Sequence, residues 1–325
     1  MSRTGVVVIG RNEGERLARC FDSLEVAAGA IVYVDSGSTD GSVEMARTRA
    51  VQVVALDLSV PFTAARARNA GVQRLLQLVP EVDRVQFVDG DCEMIDGWFD
   101  AANRCLDENA QIACVCGRLR ERFPERSIYN RLCDFEWERP PGDTDACGGI
   151  AMMRVSVLNE VDGFREDMVA GEEPELCQRI RQQGWKVHRL PVAMAWHDAA
   201  MLRFGQWWKR SKRAGFSYAQ RISLLGSTTE RGLARQALRT WLWAALVPVI
   251  IFLCVALAGP VALILTLVYP IQILRIALGM EQTLRIRLER AFFIMLGKFP
   301  ELLGQLQFWL GHRRRRGITG FDYKS

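Results

Sequence analysis

The sequence contains no C-x-x-C pair, only three histidines, and neither a G-x-G-x-x-G nor a G-x-x-x-x-G-K-[ST] run. The missing glycine patterns argue against a Rossmann dehydrogenase and against a P-loop enzyme. Without C-x-x-C spacing, the nine cysteines do not read as a zinc ribbon or a disulfide framework. Cys114 and Cys116 lie in an apolar run, and the thiols are expected to be core residues of a protein kept in a reducing compartment. The first long apolar run, Val6-Val7-Val8-Ile9, is shorter than the roughly 7 to 15 residues of a secretory h-region. The amino-terminal domain is therefore expected in the cytosol. No internal repeat or low-complexity stretch is apparent.

What is present is a chain of 325 residues, 49% hydrophobic and 24% charged. That much apolar surface can offset the entropy of ordering, so a folded core is expected, as one large domain or two ordinary ones. The net charge of +5 hides an asymmetry: residues 1–200 hold 23 Lys and Arg against 32 Asp and Glu, whereas residues 201–325 hold 19 against 5. An acidic first part suits divalent-metal and carboxylate chemistry, and a basic second part suits anionic lipid headgroups or another polyanion.

Short β-branched runs alternate with helix-like stretches through residue 200, the pattern of a parallel α/β sheet. Strands are expected over Val6–Ile9, Ala30–Val34, Val51–Ala55, Arg84–Val88 and Ile112–Cys116, and helices over Glu15–Leu24, Ser42–Arg49, Thr63–Val79 and Gly97–Asn109. Ligands of such open nucleotide-binding sheets sit beyond the carboxyl ends of the strands. Arg11-Asn12-Glu13, Asp35 to Asp40 and Asp89-Gly90-Asp91 fall there.

Trp241 to Leu274 is an uncharged run of 34 residues, about 51 Å as one helix against a hydrocarbon layer of ~30 Å. Gly259-Pro260 divides it into legs of about 27 and 22 Å, a transmembrane or re-entrant hairpin whose second leg is short for a full span. Arg231, Arg235 and Arg239 precede the run and Arg275, Arg285, Arg287 and Arg290 follow it, so both ends are expected on the cytosolic side. A buried soluble helix pair is the alternative. Ala291 to Leu310 is expected to form two short amphipathic helices, broken before Pro300 and lying in the interface, with Arg313 to Arg316 meeting acidic headgroups; a packing helix with a solvated tail is the alternative. The chain thus divides into residues 1–220, a basic linker helix 221–240, the hairpin 241–275, and interfacial helices with a basic tail 276–325.

Each motif has a chemical reading and a bland one. Asp89 and Asp91, one residue apart at a strand end, can share a hard divalent cation that bridges to a diphosphate, though such pairs are common in turns. Gly37 lets backbone approach a ligand; Asp40 can cap the helix beginning near Gly41, and Asp35 is left free for ribose or base contacts. Arg68 can reach a nucleotide or simply be solvated. Pro174 suits a first helical position, which would place Glu173 at the cap, while the acidic cluster Glu172, Glu173 and Glu175 also complements a helix dipole. His197, after the strand-like Ala193 to Trp196, is a third metal ligand or a satisfied semi-buried side chain. Trp137 can stack on a sugar or pack in the core.

Taken in order, Arg11-Asn12-Glu13, Val34 to Asp40, Ala67-Arg68-Asn69-Ala70-Gly71, Phe87 to Asp91, Cys147-Gly148-Gly149 and Gly171 to Leu176 resemble the family 2 glycosyltransferases, inverting nucleotide-sugar enzymes of GT-A fold. The hairpin and the ending Phe321 to Lys324 are similar to bacterial membrane-associated members that build exopolysaccharide or other envelope glycans. The resemblance covers residues 5 to 220. It implies a donor nucleotide, most often uridine diphosphate, held by Arg11, Asn12, Glu13, Asp35, Ser36, Arg68 and Asp89, and a Mg²⁺ or Mn²⁺ ion held by Asp91 with Asp89 and His197. It also implies a base, Glu173 with Glu172 as fallback, acting on the hydroxyl of a glycan or lipid-linked acceptor. The expected setting is the cytosolic face of a bacterial inner membrane, with lipid but no nucleic acid as a partner. Ser36 stands where many members have a second Asp, and Glu173 where the usual pair ends in Asp. Two rival functions are a synthase that loads sugar onto polyprenyl phosphate, which needs no base, and a catalytically silent membrane scaffold.

Overall fold

The computed structural model describes residues 3–26, 28–225 and 231–313. These form two compact units, one through Leu202 and one from Arg203 onward. The first is built on a nine-stranded sheet: β1 (Thr4–Gly10), β2 (Ile31–Asp35), β3 (Gln52–Ala55), β4 (Arg84–Asp89), β5 (Cys92–Met94), β6 (Ile112–Glu121), β7 (Gly142–Asp143), β8 (Ala151–Arg154) and β9 (Lys186–His197), in the order β3-β2-β1-β4-β8-β6-β9-β5, with β7 paired to β9.

The four strands expected earliest in the chain form the parallel half, β3-β2-β1-β4. Val6, Val7 and Val8 are wholly buried, as a central strand covered on both faces requires. The expectation of a fully parallel sheet is corrected beyond β4. There β8 inserts antiparallel between β4 and β6, β6 and β9 run parallel, and β5 and β7 pair antiparallel with β9. The sheet is mixed because three short strands, β5, β7 and β8, run against the others, with β8 following the loop that carries Cys147-Gly148-Gly149.

Register delivers the motifs to one edge. Gly10 pairs with Asp35 and Ile9 with Asp89, so the residues following β1, β2 and β4 stand side by side. In the other half, His197 pairs with Cys92 on β5 and with Glu121 on β6. That double pairing sets the end of β9 beside Asp91. Helix Ala64–Leu78 packs on this sheet through Gly71, where an added Cβ would run into Val7 and meet Val34. Helix Trp98–Glu108 is tied to β4 by the buried Trp98 indole, which donates to Gln86 Oε1 at 2.8 Å.

The second unit is helical. Phe204–Leu225 lies against Lys298–Arg313, and at Gly215 and Gly304 a Cβ would strike the backbone of the facing helix. Thr240 and Lys298 both donate to Glu301 Oε2 at 2.7 Å, and Trp241 Nε1 donates to Gln305 Oε1 at 3.0 Å. One face of the last helix is therefore packed, while Leu303, Trp309 and Leu310 stay exposed. The preceding helix, Leu284–Leu296, stops at Gly297, so the expected break falls before Pro300. The tail beyond Arg313, including Arg314 to Arg316 and Phe321 to Lys324, lies outside the described residues.

Two helices of this unit, Gly232–Ala258 and Pro260–Leu278, are long and apolar enough to cross a membrane. They are exposed, with Leu257 88% and Val261 80% open, where a buried soluble pair would be covered. Gly259, at φ 79°, makes the break that the sequence pattern places there. The second leg is longer than expected: it runs to Leu278, and its first eight residues are wound as a 3₁₀-helix. At ~2.0 Å per 3₁₀ residue and ~1.5 Å per α residue it reaches about 32 Å, matching the hydrocarbon thickness. Tyr269 ties the legs by donating to the Trp243 carbonyl at 2.7 Å.

The packing at Gly71 gives a first expectation. Gly71→Val forces a side chain into Val7 and should lower stability by roughly 1–3 kcal/mol, read as a fall in the thermal midpoint of the purified chain. An unchanged midpoint contradicts the close approach of this helix to β1.

Candidate functional site

The loop after β1 and the loop after β2 are bound to each other. Asn12, at φ 54°, accepts from the Thr39 amide at 2.8 Å and donates its own amide to Ser38 Oγ at 2.9 Å. Glu13 is buried and ion-paired with Arg16 at 2.8 Å. Its side chain passes between Gly10 and Gly90, each of which leaves about 3.0 Å to it where a Cβ would stand. Arg11 begins this loop, and its amide faces Glu13 Oε1 at 3.5 Å.

Asp35 is not free, contrary to the reading from sequence. Its Oδ1 accepts from Tyr33 Oη at 3.0 Å, and its Oδ2 accepts the amides of Gly37 and Ser38 at 2.9 Å. A short carboxylate at the end of a strand caps the turn that follows it, and here that turn is the loop after β2. Ser36, beside it, is 1% exposed, and its hydroxyl has no partner among the described residues. Asp40 accepts from the Ser42 amide at 3.1 Å and from its hydroxyl at 2.6 Å, so it braces helix Ser42–Thr48 from the residue before the cap, which is Gly41 and not Asp40 itself. Those bonds outweigh burial and hold its carboxyl below the ordinary value.

Arg68 joins two motifs far apart in the chain. Its guanidinium, 3% exposed, donates to Glu172 Oε1 at 2.6 Å and to Asp89 Oδ1 at 3.0 Å. Phe164 closes the site with its ring centroid 5.5 Å from the guanidinium carbon. Gly149 completes the arrangement, because a Cβ there would stand 2.8 Å from the Arg68 nitrogen and 3.2 Å from Asp89 Oδ2. A third of the Asp89 side chain stays open. Even so, its enclosed position raises its carboxyl, ahead of Arg68, which lowers it, and Asp91, which raises it again.

Asp91 faces His197, with Oδ1 3.5 Å from Nε2. Behind the ring, Glu121 Oε2 lies 3.8 Å from Nδ1, beyond hydrogen-bond reach. Glu121 is itself immobilised: Oε1 accepts from Phe123 and Asn130, each at 3.1 Å, and Oε2 accepts the Ala199 amide at 3.1 Å. Burial alone would push the imidazole down, but the charges of Asp91, Glu121 and Asp89 more than reverse it and its pKa is raised. The Trp137 ring meets the histidine edge-on at 4.7 Å. Asp91, Cys92 and His197 place ligand atoms within 4.8 Å of one another. A carboxylate with an imidazole suits a divalent ion such as Mn²⁺, and a carboxylate behind the ring is the usual orienting partner of a ligating histidine. The donor set therefore fits Mg²⁺ or Mn²⁺ at Asp91 and His197.

Helix Glu172–Gln182 starts two residues earlier than the position of Pro174 suggests. Gly171, at φ 79°, provides the cap, Glu172 and Glu173 are the first two helical residues, and Pro174 is the third. Proline is tolerated there because first-turn amides have no intrahelical acceptor. Successive residues of a helix diverge, and the two glutamates separate accordingly. Glu172 turns to Arg68, whereas Glu173 turns to a group of thiols. Glu173 Oε1 accepts from the Cys147 amide and from the sulfurs of Cys147 at 2.9 Å and Cys177 at 3.0 Å. Its Oε2 accepts no bond from the described residues, and the residue as a whole is 5% exposed. Burial, then Cys177, pushes the Glu173 carboxyl well above the ordinary range. Glu175 is structural: wholly buried, it is gripped by Arg179, which also holds the Gly163 carbonyl at 2.8 Å.

The structure thus brings Arg68, Asp89 and Glu172 into direct contact, and sets Asp91 and His197 close enough for Asp89 to feel both charges. Sequence reasoning missed Glu121, Asn130 and the thiols around Glu173, since no spacing links them; pairing of β6 with β9 sets Glu121 beside His197. A separate cleft of about 740 Å³, lined by Arg66, Asn69, Leu158, Phe164 and Glu166, includes none of the carboxylates of the site.

Residues 5–162 match the model of glycosyl transferase family 2. Among solved structures, the chain is similar to the mannosyltransferase PcManGT from Pyrobaculum calidifontis, solved with GDP-Man and Mn²⁺, at 16% identity and a TM-score of 0.60 over 94% of this chain and 87% of that one. It is also similar to S. aureus TarS at 15% identity, with a TM-score of 0.47 over 76% of this chain and 48% of that one, too low to carry an argument. No curated protein matches in sequence. At these identities the structural likeness speaks for the fold.

Arg68 should prove the keystone of this site. Arg68→Met leaves Glu172 buried without its cation and should cost roughly 3 kcal/mol, seen as a lowered thermal midpoint. A variant as stable as the parent contradicts the ion-paired arrangement.

Proposed function

From a chain whose residues 5–162 match glycosyl transferase family 2, we propose an inverting transferase of that family that moves a sugar from a nucleoside-diphosphate donor to a hydroxyl of a glycan or lipid-linked acceptor. The observation that carries this reading is Arg68, bonded at once to Asp89 at a strand end and to Glu172 at a helix start. That one residue sets a candidate diphosphate site and a candidate base on the same framework. Uridine diphosphate is the donor nucleotide that the sequence resemblance favours, seated over the loops of Arg11, Asn12, Glu13 and Ser36.

Asp91 and His197 would hold Mg²⁺ or Mn²⁺, with Asp89 beside them, and the ion would offset charge on the departing diphosphate. Glu121, 3.8 Å from Nδ1, backs the histidine with negative charge. Arg68 positions Asp89 and Glu172 and offsets part of their combined charge. Glu173 receives the proton of the attacking hydroxyl at Oε2 while Oε1 stays pinned by Cys147 and Cys177. Attack and departure on opposite faces of the anomeric carbon invert its configuration. The exposed apolar hairpin supports a membrane site of action, and the arginines at its two ends support a catalytic unit on the cytosolic face of a bacterial inner membrane.

Replacing Glu173 with Gln should leave donor binding intact and slow transfer by ~10²- to 10⁴-fold. An unchanged rate in purified membranes rejects Glu173 as base. Because the carboxyl must be ionised to act and its pKa is raised, parental kcat/KM should fall as pH drops through a value above the ~4.3 of an ordinary glutamate. A pH profile flat down to that value contradicts the assignment.

Asp91→Asn should abolish the gain in nucleotide-sugar affinity that Mn²⁺ gives. Calorimetric titration with and without the ion checks it, and an equal gain in parent and variant refutes it.

A further inference from the structure

Cys114 on β6, Cys147 in the loop before β8 and Cys177 on helix Glu172–Gln182 are at least 30 residues apart in the chain, yet their sulfurs all lie within 4.8 Å of one another. The sulfurs of Cys147 and Cys177 are 3.5 Å apart, and all three residues are buried. Glu173 Oε1 adds a fourth ligating atom at 2.9 and 3.0 Å from two of them. In a tetrahedral thiolate site with metal–sulfur bonds of about 2.3 Å, sulfurs stand about 3.8 Å apart. The three sulfurs need shifts of no more than about an ångström to match. A carboxylate whose partners are two sulfurs and a single amide is also short of positive charge, which a cation would supply. This set is chemically distinct from Asp91 and His197, because thiolates select soft ions where carboxylate oxygens select hard ones.

We propose that Cys114, Cys147 and Cys177, with Glu173 Oε1, form a site for a thiophilic d¹⁰ cation of the Zn²⁺ class. Each ligating thiol passes its proton to solvent as its sulfur donates a pair to the ion, and nothing is oxidised or reduced. Occupancy engages Glu173. Resting on the reading of Glu173 as base, the bound ion therefore halts transfer, so the site couples the enzyme to the supply of soft metal.

Titrating the reduced, full-length protein with Cd²⁺ in the presence of excess Mn²⁺ tests this through the thiolate-to-metal charge-transfer band in the near ultraviolet. The band should saturate at one ion per chain, persist in Cys92→Ala, and lose ~10- to 100-fold or more in affinity in Cys147→Ala and Cys177→Ala. Thermal melts without Cd²⁺ establish that each variant folds, and Cys114→Ala replaces any that does not. No band in the parent, an undiminished band in the cluster variants, or its loss in Cys92→Ala overturns the site. A band that saturates while transfer continues at its full rate leaves the site standing and overturns its coupling to Glu173.

Discussion

The candidate site depends on a buried guanidinium held between two carboxylates. Taking a charge out of water costs several kcal/mol unless it is paired and hydrogen-bonded, and Arg68 meets that requirement with Asp89 on one side and Glu172 on the other. The pairing fixes more than charge. Arg68 rides on a helix seated against β1 through Gly71, Asp89 ends β4, and Glu172 opens the helix behind Gly171. Gly149, without a Cβ, lets the loop carrying Cys147 pass over the pair. Three segments distant in sequence are thereby held in register, and Glu173 takes its direction from the same helix start.

A second constraint acts on the histidine side. His197 is placed by two ladders at once, against Cys92 and against Glu121, and Glu121 is fixed by bonds from Phe123, Asn130 and Ala199. A ring so oriented presents Nε2 to Asp91 without rearrangement. Preorganisation of this kind lets a site stabilise charge at the moment of reaction without moving its own dipoles.

Much of this was legible in the sequence, for identifiable reasons. Val6 to Ile9, Ile31 to Val34 and Arg84 to Val88 are β-branched runs buried on both faces, and polar clusters directly after them mark a ligand edge. The later strands carry no such mark. Ala151–Arg154 contains two methionines and no β-branched residue, and Lys186–His197 contains Pro191 and alternates irregularly between buried and exposed positions. Their direction depends on long-range pairing. For the same reason Glu121 and the convergence of Cys114, Cys147 and Cys177 were not readable from spacing. The start of the last helix of the domain was displaced by Gly171, whose left-handed backbone outranks the preference of Pro174 for a first position. In the apolar hairpin the break at Gly259 was plain, but a 3₁₀ start that lengthens the second leg leaves no signal in hydropathy.

The central claim is that Asp91 and His197 hold a divalent ion against a nucleoside diphosphate. Pulsed electron paramagnetic resonance of Mn²⁺ bound with nucleoside diphosphate tests it most directly, since the ion reports its own ligands. The account predicts nitrogen modulation from one imidazole together with phosphorus coupling, and loss of the nitrogen signal alone in His197→Ala. Phosphorus coupling with no nitrogen in the parent, or a nitrogen signal that survives His197→Ala, would contradict it.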